Sequence, residues 1–214
     1  MNRYILFFLI PFFFSCAKQS FQVGDIFFQD LDCGPPCQAI EAVTSGYQGA
    51  QLSHCAIITS VGTSNHDTIL TEAIGETVTQ TTLHDFLNRS NKVFVGRLID
   101  EYQYMIPDAI TYIQTDLNGK PYDYIFDITD DTYYCSEIIY EGLKIADSSQ
   151  ELFSLKPMTF NEPGTDMPFV HWVDYYEDLG QPIPEGELGL NPGGMSRSDA
   201  IEIIYFYEKP TGMY

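Results

Sequence analysis

Short segments in which apolar residues alternate with polar ones make up much of the chain, and such segments are typical of β-strands. A few longer stretches carry apolar residues at helical spacing instead. Residues 21–29 are predicted to form a Gly-Asp turn that leads into a short strand, and further strands are predicted over residues 51–61, 68–74, 77–80, 91–98 and 201–207. The predicted helices cover residues 38–44, 107–117 and 135–145, and the Pro- and Gly-rich residues 182–194 are expected to form a loop. Consecutive strands with flanking helices predict an α+β fold with a central β-sheet.

The first residues have the pattern of an export signal. Arg3 is followed by an apolar segment over residues 4–14, which is too short to cross a membrane as a helix. The next residues, Ser15 and Cys16, resemble the lipobox of bacterial lipoproteins, although Phe13 and Phe14 depart from its usual residues. We expect residues 1–15 to be a lipoprotein-type signal peptide and residues 16–214 to form one domain. Lipidation of Cys16 would place the protein in the cell envelope, whereas an ordinary signal peptide with an incidental Cys would make it secreted.

The net charge of the chain excludes some classes of binding partner. The 214 residues include 30 acidic and 10 basic side chains, for a net charge of −20. A protein of this charge is repelled by phosphate backbones and by anionic lipid headgroups. We therefore expect no nucleic-acid partner, and we expect any membrane attachment to be through the lipid anchor.

Four cysteines remain once Cys16 is set aside. Cys33 and Cys37 flank a Gly-Pro-Pro segment, and they either form a local disulfide or remain as incidental free thiols. Their spacing gives little support to a redox or a metal site. Cys55 lies in a predicted strand, where alternation directs it away from the face of His54, so we expect a buried core thiol.

Cys135 is the residue with the clearest chemistry. It begins a predicted helix, where the macrodipole and the unpaired N–H groups favour a thiolate and can hold an oxyanion. A thiolate nucleophile also needs an imidazole as proton carrier. Of the four histidines, His54 at the start of a strand is the best placed, because His66 lies in a polar loop and His171 in an aromatic-rich segment.

Five short blocks along the chain are similar to the permuted papain-like enzymes of the YaeF/YiiX type, in the NlpC/P60 superfamily of cell-wall cysteine peptidases. In the ordinary order of that superfamily the Cys helix comes first. Here the Gly-Asp strand and the His strand precede the Cys helix, as in the permuted branch. The blocks are Gly24–Phe28, Leu52–Ile58, Leu70–Ile74, Gly119–Asp123 and Tyr134–Glu137.

The resemblance implies a circularly permuted papain-like fold, with an antiparallel sheet or partial barrel against helices and the catalytic Cys at a helix N-terminus. Cys135 matches the nucleophile, His54 the base, and Glu72 the third polar residue, which orients the imidazole. Three further residues either line the cleft or pack as ordinary side chains: Tyr134, Tyr122 and Ser53. No cofactor motif and no metal site is expected.

The implied activity is that of an exported cysteine hydrolase acting on an amide or ester bond. The superfamily implies small-molecule, peptide or lipid substrates, such as cell-wall peptides or lipid-linked acyl groups, and the sequence does not choose between them. A lipid acyltransferase and a non-enzymatic ligand-binding lipoprotein remain alternatives. A thiol-redox lipoprotein using Cys33 and Cys37 is a third.

Overall fold

The protein is described here by a computed structural model, which covers residues 20–214. Eight strands and six α-helices make up the regular structure of these residues. The strands are Ile26–Gln29 (β1), His54–Ser60 (β2), Ile69–Ile74 (β3), Thr77–Thr82 (β4), Val93–Leu98 (β5), Lys156–Pro157 (β6), Leu188–Gly189 (β7) and Ile201–Phe206 (β8). The helices are Pro35–Val43 (α1), Leu83–Arg89 (α2), Ile106–Tyr112 (α3), Cys135–Ala146 (α4), Val170–Leu179 (α5) and Pro192–Met195 (α6).

Six strands form one antiparallel sheet in the order β4-β3-β2-β1-β5-β8. The strands β6 and β7 form a separate antiparallel pair. In the register between β1 and β2, Gln29 lies opposite His54. The predicted α+β fold with a central antiparallel sheet packed against helices is confirmed.

Because strand residues alternate between faces, the sheet has two cores. On one face, Phe28, Cys55 and Ile57 join the residues of α3 and α4 in the main core. On the other, Phe27, Ala56 and Ile58 pack against Leu83 and Phe86 of α2. The sheet is therefore covered on both faces.

The elements that the sequence did not predict include α5, β7 and α6. Helix α5 lies in a segment rich in aromatic and β-branched residues, which have modest helix propensity, so it escaped prediction. It forms because Trp172 and Tyr176 pack with Phe160 in a third, smaller core. The expected loop at residues 182–194 contains β7 and α6. No helix among residues 20–214 has the length and hydropathy needed to span a membrane.

Candidate active site

Helix α4 begins at Cys135, and Tyr134 is its N-cap. The first N–H groups of a helix have no intrahelical acceptor, so those of Cys135 and Ser136 are available to a ligand. The Glu137 carboxyl accepts the Tyr134 N–H at 3.2 Å and thereby fixes the entry to the helix. The thiol of Cys135 is thus held at the positive end of the helix dipole, where negative charge is stabilised.

His54 and Glu72 lie side by side at the neighbouring strands β2 and β3. The imidazole Nε2 is 2.6 Å from Glu72 Oε2, and both side chains are buried. Burial alone would lower the pKa of His54, but its hydrogen bonds to Cys135 and Glu72 and their charges raise that pKa to about 9. Since Nε2 is directed at Glu72, the other ring nitrogen, Nδ1, is left to face the thiol.

The carboxyl of Glu72 is fully buried, so it is not a solvated acid at the edge of the sheet. Burial would raise its pKa, but the hydrogen bonds and charges of His54 and Arg89 lower it to about 2. The side chain is therefore an anion at neutral pH. A buried anion beside an imidazole fixes its tautomer and stabilises its protonated form.

The two free cysteines of residues 20–214 are Cys55 and Cys135, and their side chains are in contact. A hydrogen bond from Cys55 lowers the pKa of Cys135 well below its usual value, against the effect of burial, and His54 lowers it further. Burial and the charge of Cys135 raise the pKa of Cys55. Cys55 is a buried core thiol, as expected, but it also contacts Cys135, which strand alternation alone did not indicate.

A cavity of about 140 Å³ opens beside Cys135. The three residues expected to line a cleft, Ser53, Tyr122 and Tyr134, all line this cavity. Ser53 also exchanges two 3.0 Å hydrogen bonds with the backbone of Leu31, so it braces the wall as well as forming it. The Tyr134 hydroxyl accepts a hydrogen bond from the N–H of Leu190, which also lines the cavity.

Aromatic side chains form much of the cavity wall, and the sequence did not single them out. Phe126, Phe160 and Trp172 line it together with Met158. None of the described residues that line the cavity is charged. The aromatic composition of residues 158–176 was the available signal, but only the tertiary packing of α5 brings these residues to Cys135.

Arg89, at the end of α2, was also missed. Its guanidinium donates to Glu72 Oε2 at 2.5 Å, the same oxygen that His54 contacts. Nothing in the local pattern around Arg89 predicts this contact, because it depends on how α2 packs on the sheet.

The remaining predicted residues are the pair Cys33 and Cys37 and the expected lipidation site Cys16. Cys33 and Cys37 form a disulfide that braces the chain around the start of α1. Cys16, the expected lipidation site, lies outside the described residues.

Comparison with known proteins identifies the family of this chain. A family model described as "permuted papain-like amidase enzyme, YaeF/YiiX, C92 family" matches residues 20–205. The chain belongs to this family. It is thus a papain-like cysteine hydrolase of the amidase and peptidase type. A search of the curated proteins finds no match.

Solved structures with the fold of this amidase-family chain include the following one. It is the crystal structure of metalloprotein yiiX from Escherichia coli O157:H7, with a TM-score of 0.67 and 22% sequence identity. The likeness covers 88% of this chain and 98% of that one. At this identity the likeness establishes the permuted papain-like fold.

The Escherichia coli relative is described as a metalloprotein. In residues 20–214 of this chain, no group of three or more His, Cys, Asp or Glu side chains is arranged to hold a metal ion. Nε2 of His54, which could otherwise act as a ligand, is directed at Glu72. The described residues therefore offer no ligand set of that size for a metal ion.

Proposed function

We propose that this protein hydrolyses amides through a Cys135 thiolate, with His54 as proton carrier and Glu72 as the residue that orients the imidazole. The observation that carries the proposal is the position of one buried imidazole between the thiol and the carboxylate. With the pKa of Cys135 lowered and that of His54 raised, the pair rests as thiolate and imidazolium at neutral pH.

The steps follow from these protonation states. The thiolate sulfur attacks the amide carbon, and the carbonyl oxygen becomes an oxyanion, which the N–H groups at the start of α4 can hold. The imidazolium then gives its proton to the leaving amine as the C–N bond breaks, and a thioester to Cys135 remains. Water, deprotonated by the now neutral His54, attacks the thioester, so that the carboxylic acid leaves and the thiolate is restored.

The cavity favours a substrate whose acyl part is apolar. Its wall presents Phe126, Phe160 and Trp172 beside the nucleophile, and no charged residue lines it. Burial of apolar surface against such a wall favours binding by roughly 25 cal/mol per Å². A cell-wall stem peptide carries carboxylates, and the cavity lining has no cation to pair with them. Between the two substrate classes that the superfamily implies, we therefore propose lipid-linked or other apolar N-acyl groups.

We also propose that the protein acts at the cell envelope, anchored by a lipid on Cys16. The support is the signal-like segment before that residue and the net charge of −20, which disfavours electrostatic attachment to anionic lipid. Labelling cells with a fatty acid tests this directly. Wild type is expected to incorporate label and sediment with membranes, and Cys16→Ala is expected to do neither; equal labelling of both would reject the anchor.

The amidase proposal is tested with two substrate panels, long-chain N-acyl amines that carry no carboxylate and peptidoglycan fragments, with products identified by mass spectrometry. We expect wild type to release free fatty acid from the first panel and Cys135→Ala to release none. The rate is expected to fall as the acyl chain is shortened and as the pH rises through about 9, where His54 loses its proton.

Three results would contradict it. Equal product from wild type and Cys135→Ala would remove the thiol from the mechanism. Cleavage confined to peptidoglycan fragments would reject the apolar acyl class. Acyl transfer to an added amine or alcohol in place of water would replace hydrolysis by the acyltransferase alternative.

A further inference from the structure

The Glu72 carboxylate has a second partner besides the imidazole. Arg89 donates to Oε2 at 2.5 Å, and His54 contacts the same atom at 2.6 Å. Glu72 is fully buried. Arg89, the last residue of α2, has a side chain that is 28% exposed. Without Arg89 the buried carboxylate would be left with the His54 imidazolium as its cationic partner, and its neutral form, which could not stabilise an imidazolium, would be more favoured.

The surroundings of Arg89 hold its guanidinium in place. The Phe86 ring lies near both cationic groups, with the Arg89 guanidinium carbon 5.1 Å and the His54 ring centre 6.0 Å from its own centre. Gln29 donates to the carbonyl groups of Phe86 and Ser90 at 3.0 and 2.7 Å and so ties the end of α2 to the sheet. Gln29 is also the residue opposite His54 in the strand register.

We propose that Arg89 is a positioning residue of this active site, which keeps Glu72 ionised and directed at His54 and thereby maintains the thiolate–imidazolium pair. The inference rests on the proposed roles of Cys135, His54 and Glu72, and it adds Arg89 to the site as a fourth residue. Arg89 acts through Glu72 and does not touch the nucleophile.

The same contact could also serve folding alone, and the chain offers a matched control for that. Arg97 forms an ion pair with the fully buried Asp25, at 2.6 and 2.8 Å, and its side chain is 24% exposed. Asp25 precedes β1, at the opposite end of that strand from Gln29 and His54. Arg97→Gln therefore breaks an equivalent ion pair on the same sheet, away from the thiol.

The test measures how fast iodoacetamide alkylates Cys135 as a function of pH, in the full chain, with peptide mapping to locate the label. This readout needs no substrate. We expect Arg89→Gln to move the acid limb of the profile to higher pH by about one unit, the scale of one charge-assisted hydrogen bond. Arg89→Lys restores the charge and is expected to recover part of the shift. Arg97→Gln is expected to lower the melting temperature and leave the profile unchanged.

Arg89→Met also removes the charge while keeping an apolar stem over Phe86, so it carries the test if the Gln variant does not fold. A wild-type profile in the folded charge-removing variants would overturn the inference, and so would an equal shift in Arg97→Gln. His54→Ala separates this outcome from failure of the proposed function. If His54→Ala leaves the reactivity of Cys135 unchanged, the Cys–His pair itself is rejected, whereas an effect of His54→Ala without one of Arg89→Gln rejects Arg89 alone.

Discussion

Two neighbouring thiols at the site hold their protons very differently. The pKa of Cys135 is lowered because Cys55 hydrogen-bonds its sulfur and His54 lies beside it. The pKa of Cys55 is raised by burial and by the charge of Cys135. Cys55 therefore favours its neutral form and Cys135 its thiolate form, although both are cysteines in one core.

Replacing Cys55 separates its role as a donor from its role in packing. Cys55→Ala removes the donor, and we expect the apparent pKa of Cys135 to rise by about one unit. Cys55→Ser keeps a donor at the same place, and a smaller rise is expected. The pH dependence of alkylation at Cys135, mapped by peptide, measures both. Unchanged profiles in the two variants would show that Cys55 contributes packing only.

The sequence was informative about single residues where local structure sets their chemistry. Cys135 could be found because a helix N-terminus activates a thiol, and this position follows from apolar spacing. His54 and Glu72 needed the order of the strands, which the family resemblance supplied. Arg89 could not be found in either way, since its contact with Glu72 depends on the packing of α2 against Phe86 and Gln29.

Helices α3 and α4 pack closely at a glycine. A Cβ atom on Gly142 would come within 2.8 Å of Ile113 Cδ1 and 3.3 Å of the carbonyl oxygen of Ala109. Ile113 begins a π turn that continues α3, and it is fully buried. The close approach places α4, and with it Cys135, against the sheet.

Gly142→Ala should therefore destabilise the protein, although alanine is ordinarily the better helix former. The substitution gains up to about 1 kcal/mol of helix propensity, but overpacking of a core costs about 1–3 kcal/mol. We expect a net loss in the free energy of unfolding measured by urea titration. In an Ile113→Val background the terminal methyl group is gone, and a smaller loss is expected. A stabilised single variant, or additive effects of the two substitutions, would contradict this account.

At the scale of elements, the strands of the main sheet were predicted closely and the peripheral helices were not. Strands such as β3 and β5 are short, largely apolar segments that are buried along most of their length, as a sheet covered on both faces requires. Helix α5 has no comparable local signal, since its helical state depends on Trp172 and Tyr176 packing against Phe160. The cavity wall is built partly from that region, so the grouping of Cys135, His54 and Glu72 could be predicted and the aromatic wall beside them could not.

Across the whole molecule, buried ionisable groups make stability depend on pH in two opposite senses. The pKa of Glu72 is lowered to about 2, so its contribution is complete above its ordinary value of 4.5 and is lost as the pH falls towards 2. The pKa of His54 is raised to about 9, so its contribution is complete below 6.5 and is lost as the pH rises through 9. Between pH 4.5 and 6.5 both contributions are nearly constant.

Glu137 changes stability within that interval. Burial raises its pKa to about 9, the Tyr134 N–H opposes the shift, and the charge of Asp123 adds to it. The unfolded chain releases this proton above pH 4.5 while the folded protein keeps it, so stability falls as the pH rises, by at most about 1.4 kcal/mol per unit from this group.

Glu137→Gln is neutral in both states and still offers an oxygen to Tyr134. We expect it to flatten the decline in melting temperature between pH 5 and 6.5 and to be more stable than wild type at pH 7.5. The matched control is Glu151→Gln, which removes an equal charge at an exposed position and should leave the slope unchanged. If the profile of Glu137→Gln ran parallel to that of wild type, the proton on Glu137 would not be what links folding to pH.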